Sequence, residues 1–260
     1  MNASWLRVAV AAIAMSSTVA AQAGRSCEPK RPDATVVLRA MTLADHVSRQ
    51  LDATGAQVVV LARMGQDLSK YGQRYSHMGL AYREGNTWRV AHKLNQCGSA
   101  EAAVYRQGLG EFFLDDLFEY QAGVAVLTPE IQARLLPALR DNRQLAQLNT
   151  RAYSMVAYPW AQTYQQSNQW ALETLAMTQD PAATNRERAQ AWLRLQGYQP
   201  TTLHLSAFTR LGARMTAANV AFDDHPNEKR FTDRIETVTV DSAFAWLQRS
   251  GMATAILAIR

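Results

Sequence analysis

The chain of 260 residues is 48% hydrophobic and 19% charged, which supplies enough apolar material for one sizeable core. Its 27 basic and 22 acidic residues give a formal charge of +5, and the basic side chains are scattered rather than clustered, which argues against nucleic acid as a partner. After the opening residues no apolar run approaches the roughly 20 residues that span a bilayer, so no integral membrane segment is expected once a leader is removed.

That leader is expected over residues 1–23, where Arg7 precedes the apolar run "VAVAAIAM" and the small-residue stretch "SSTVAAQA". This is the layout of a secretory signal peptide, with Ala21 and Ala23 placed for a cut before Gly24. A lipid anchor on Cys27 is a poor fit, because Arg25 stands where such anchors carry a small or apolar residue. Export implies a periplasmic or secreted protein. It also places Cys27 and Cys97 in an oxidising compartment, where an even pair suggests a disulfide rather than two unlinked thiols.

From Asp33 to Thr54 apolar residues recur at three and four, the pattern of an amphipathic helix that Gly55 ends. "AQVVVLARM" reads as a fully apolar strand. "RYSHMGLAYRE" and "TWRVAHKLN" read as a hairpin about the turn "EGNTW", which puts His77 and His92 on adjacent antiparallel strands. "LGEFFLDDLFEY" reads as a short helix, "AGVAVLT" as a strand, and Pro129 opens the helix "PEIQARLLPALRD" at its favoured first position. The aromatic stretch "NTRAYSMVAYPWAQTYQQ" is irregular, and a helix follows to about Met177. The rest reads as a helix "NRERAQAWLRLQGY", a helix around "LSAFTRLGARM", a polar loop "FDDHPNEKR", a strand "RIETVTV" and a helix near "DSAFAWLQRS". The expectation is an α+β protein with a core over residues 24–180 and a helical C-terminal elaboration over residues 181–260.

A histidine on a strand and a polar residue at a later helix start invite comparison with nucleophile and base pairs. The segments "SHMGLAYREG" and "YQQSNQWALE" resemble circularly permuted papain-like proteins, relatives of the NlpC-type envelope peptidases and of lecithin retinol acyltransferase. Over Gln73 to Met177 the chain is similar to the bacterial family numbered 2145 among the domains of unknown function. The likeness implies a permuted papain-like antiparallel sheet packed on helices. By position it implies His77 as base, His92 as its orienting partner and Ser167 at or next to the place where the family pattern has a cysteine. That departure matters, since a hydroxyl is hardly ionised at neutral pH and needs a base in direct contact. Asn168 or the first helical N–H groups would then donate to an oxyanion.

Each residue also has a plainer reading. His77 fits a hydrogen-bonded core position, His92 a surface position beside Lys93, and Ser167 an ordinary helix N-cap. Tyr153, Trp160 and Tyr164, with Tyr158 and Trp170, either line a groove for a glycan or acyl chain or fill the core. Asp115, Asp116 and the carboxylates near His225 lack metal-ligand spacing and read as solvated turns, and no cofactor motif is present. Two functions are therefore carried forward. One is an envelope amide or ester hydrolase or acyltransferase using Ser167 and His77, with peptidoglycan peptide as default substrate. The other is a catalytically silent papain-like module that binds an envelope component, lipid or protein.

Overall fold

Asp33 accepts from the Thr35 N–H and so caps α1 (Ala34–Thr54), and Gly55 ends it in the left-handed conformation at φ 69°. The computed structural model describes residues 31–115 and 117–260. The expected leader and Cys27 lie outside these residues, as does Asp116. The bridge expected between Cys27 and Cys97 thus has its first cysteine outside them, and Cys97 stands in the exposed turn after the third strand.

Strand β1 (Val58–Met64) is buried along its whole length, which accounts for its unbroken apolar sequence. It pairs antiparallel with β2 (His77–Glu84) on one side and β5 (Glu119–Leu127) on the other. Beyond β2 lie β3 (Thr87–Asn95) and β4 (Ala102–Gly108), and beyond β5 lies β8 (Ala253–Ile259). The sheet order is β4-β3-β2-β1-β5-β8, antiparallel throughout. The protein is α+β as expected. The C-terminal third is less helical than its sequence reads, because β8 returns to complete the central sheet and β6 (Thr201–His204) pairs with β7 (Arg234–Thr237) in a separate ribbon. The short helix α2 (Leu109–Phe113) also stops seven residues before the expected Tyr120, since the chain turns into β5.

Helices cover both faces. On one, α3 (Pro129–Arg140), α5 (Ser167–Gln179), α6 (Arg186–Leu195) and α9 (Val240–Arg249) join Val58, Val60, Met78, Leu80 and Tyr82 in a single apolar cluster. On the other, α1 and α2 pack on Val59, Leu61, Ala81, Val90 and Val124. The one-turn α4 (Asn142–Ala146) follows α3. The ribbon is flanked by α7 (Ala207–Thr216) and α8 (Asn227–Arg230), and it has a small core of Leu205, Phe222 and Ile235. Within the "FDDHPNEKR" stretch, His225 and Asp224 are not solvated. Both side chains are fully buried, with His225 Nδ1 3.0 Å from Asp224 and Nε2 2.9 Å from the Glu236 carbonyl.

Candidate functional site

Alternation along β2 sends Met78, Leu80 and Tyr82 toward α5, and His77 toward the other face, where the Phe112 ring lies 5.9 Å away. Continuing the β2–β3 register one step past Leu80↔Ala91 sets Gly79 across from His92, diagonal to His77. Gly79 is needed there. A Cβ on it would lie 2.7 Å from Val90 Cγ1 and 2.9 Å from His92 Cβ. The missing side chain lets β3 close in, and His77 Nε2 meets His92 Nδ1 at 2.9 Å.

The chain of hydrogen bonds runs on to β4 and α2. His92 Nε2 lies 2.8 Å from Gln107 Oε1, and Gln107 Nε2 donates to Glu111 at 2.9 Å. A carboxylate only accepts, so the Gln107 amide must present its oxygen to His92. His92 then carries its proton on Nε2, its Nδ1 accepts from His77 Nε2–H, and a lone pair remains on His77 Nδ1. Sequence reading found the two histidines through their hairpin. It missed Gln107 because β4 gave no recognisable strand pattern, and with it the link to Glu111 on α2. His92 is fully buried, not a surface residue beside Lys93.

Burial, then the Arg63 guanidinium, then His92 hold His77 well below the ordinary imidazole range. Burial and Arg63 push His92 down to about 3, against a smaller upward pull from its bond to Gln107. Arg63 is paired with His77 across the β1–β2 ladder and donates to the Phe112 carbonyl and to Asp115. Both imidazoles are therefore neutral near pH 7. Asp115 is one end of an ion pair, not a free turn carboxylate.

The first turn of α5 reaches the same strand from the other side. Asn168 Oδ1 accepts the Met78 N–H at 3.0 Å, one residue from His77, so the Asn168 amide oxygen joins helix to sheet. The N-cap is Gln166, not Ser167. Gln166 accepts from Asn168 N–H while Gln169 accepts from Gln166 N–H, and the Gln166 amide donates to Thr237 and Val238. Ser167 is the first helical residue, 6% exposed, and lies beside the buried Tyr153 phenol. Burial raises the Tyr153 phenol, opposed by the nearby Ser167 hydroxyl. Among the described residues no hydrogen bond joins Ser167 to either histidine.

Deeper along α5, Glu173 is fully buried and receives Arg186 Nε at 2.8 Å, Gln190 at 2.7 Å and Gln165 at 2.5 Å. Gln165 Oε1 in turn accepts from Lys93 at 2.8 Å, and Lys93 also donates to the Thr150 carbonyl. Burial, reinforced by Arg186 and opposed by Glu173, brings Lys93 down to about 7. Eleven of the 13 residues of α5 are buried, and this network is what lets the carboxylate of Glu173 be among them.

The aromatics read as either groove-lining or core divide between packing and surface bonds. Trp170 is fully buried in the core and Tyr153 nearly so. Trp160 stacks edge-on to Tyr198 with the Arg194 guanidinium 4.4 Å above it, and Tyr164 bonds Asp223. Two clefts, of about 740 and 380 Å³, are lined by His46, Arg49 and the β8 end and by Met64, Leu68 and Phe118. Neither is lined by Ser167, His77 or His92. Among the described residues no group of three His, Cys, Asp or Glu could hold a metal ion, and no helix is long and apolar enough to cross a membrane.

A family model described as "Uncharacterized protein conserved in bacteria (DUF2145)" matches residues 50–247. No curated protein and no solved structure matches the chain.

Proposed function

The chain belongs to the DUF2145 family of bacteria, and from that premise we propose that it is an exported envelope protein whose permuted papain-like core binds an envelope component without turning it over. The observation that carries this reading is the electrostatic setting of His77. Attack by a serine hydroxyl leaves an imidazolium, which working triads stabilise with a carboxylate on the second ring nitrogen. Here that nitrogen meets neutral His92, and Arg63 adds a positive charge where a negative one is needed. Glu111 lies two links further on behind the Gln107 amide, which carries no proton between them. The Ser167 hydroxyl, meanwhile, lies beside the Tyr153 phenol. Peptidoglycan peptide, lipid and envelope protein are the ligand classes this reading carries.

A second reading, an amide or ester hydrolase or acyltransferase, is supported by one feature, the lone pair left on His77 Nδ1 by the direction of the hydrogen-bond chain. Incubation of the purified chain with a fluorophosphonate, followed by intact-mass measurement, separates the two. The binding module gives no adduct. An adduct that disappears in Ser167→Ala establishes the hydrolase instead.

A further inference from the structure

Helix α7 buries none of its residues. Ten-residue helices are marginal in water, where stability comes mainly from packing an apolar face. Yet α7 has such a face, pointing outward. Phe208, Leu211 and Met215, at helical spacings of three and four, are 88%, 59% and 78% exposed. The side that leans on the body carries Arg210, whose guanidinium donates to the Arg230 carbonyl and lies 6.0 Å over the Phe222 ring. That bond sets the helix beside the turn bearing Phe231, itself 73% exposed.

We propose that α7 is an interfacial docking helix that lays Phe208, Leu211 and Met215 into the surface of an anionic phospholipid membrane. Charge selects this occupant. The helix carries Arg210 and Arg214 and no acid, and Arg214 flanks the apolar stripe, the arrangement of helices that lie in a headgroup layer. Phe231 sits between Arg230 and Arg234, with Asp233 beside it held to His204 at 2.9 Å. A second copy of the chain is a worse fit, because a stripe of three or four side chains falls far short of the roughly 800 Å² per partner of a stable interface. This surface is formed by α7 and the neighbouring turn, whether or not Ser167 is reactive.

The test is co-sedimentation of the purified chain with vesicles of phosphatidylethanolamine and phosphatidylglycerol, against vesicles of phosphatidylcholine. The expected result is binding to the anionic vesicles about tenfold above the neutral ones, weakened by salt. The triple variant Phe208→Ser, Leu211→Ser, Met215→Ser should lose it, and Arg214→Glu should reduce it about fivefold, both with unchanged circular dichroism. Leu195→Ser, an exposed apolar residue on α6, should leave it unchanged. If the triple variant misfolds, Arg214→Glu alone decides. Failure to bind anionic vesicles, equal binding to both kinds, or binding indifferent to these substitutions overturns the proposal. So does a dimer in light scattering that the triple variant abolishes.

Discussion

His92 and Lys93 are neighbours on β3 and end in two different buried polar clusters, one on each face of the sheet. The Lys93 side is a closed ionic knot, in which Glu173 is met by Arg186, Gln165 and Gln190 and opposite charges sit within hydrogen-bond distance. The His92 side is a one-way chain of neutral groups that ends at a ring nitrogen of His77 with no partner among the described residues, and with the Arg63 cation beside it. The difference teaches what each can do. The knot holds helix to sheet, whereas the chain orients a ring without making it a strong base.

The knot should yield the largest effect. Glu173→Leu leaves the Arg186 and Lys93 side chains buried without their carboxylate, at a cost of about 3–5 kcal/mol in urea unfolding. Adding Arg186→Leu should recover a large part of that loss, since replacing both ends of a buried pair is cheaper than removing one.

Titration separates the clusters next. An unfolded histidine takes up its proton near pH ~6.5, while native His92 resists until about 3 and His77 is also held low. The unfolded chain therefore binds more protons over that interval. Stability from this face is complete above pH ~6.5 and declines as pH falls toward 3, by roughly 1.4 kcal/mol per unit of displaced pKa, an order-of-magnitude figure. Lys93, lowered to about 7, gives the other window. Stability should climb as pH rises from about 7 toward the ordinary lysine value of ~10.4. Urea midpoints across pH for His92→Leu and Lys93→Met should each flatten one limb and spare the other.

Gly79→Ala should come third. Its Cβ meets Val90, His92 and the Ala91 carbonyl, so β3 must retreat, costing about 1–3 kcal/mol in thermal melts and lengthening the His77–His92 bond. Tyr153→Phe is the mildest, at most about 1 kcal/mol for removing one buried hydroxyl beside Ser167.

Much of this architecture was legible because its signals are local. The three- and four-residue spacing of α1, the apolar run of β1, the turn between β2 and β3 and Pro129 at the start of α3 each identify an element without reference to the rest. Edge strands were not. In β4, "AAVYRQG" is only partly covered and shows no clean alternation, and "ATAILAI" in β8 is an apolar run that becomes a strand through pairing with β5. Missing β4 hid Gln107 and thereby the direction of the histidine chain. Ser167 looked like the cap because serine usually is. Gln166 takes that place since its longer amide bonds both the helix N–H and β7. The Glu173–Arg186 pair joins two helices and leaves no trace in local spacing.

The central claim is that His77 is a neutral ring held by His92 and independent of Ser167. Long-range proton–nitrogen NMR of the histidine-labelled chain near pH 7 tests it directly, in the natural sequence and in Ser167→Ala. The account predicts His77 and His92 both neutral with the proton on Nε2, and His77 signals that do not move when the hydroxyl is removed. A His77 protonated on both nitrogens, or an Nδ1 resonance that shifts in Ser167→Ala, would contradict it.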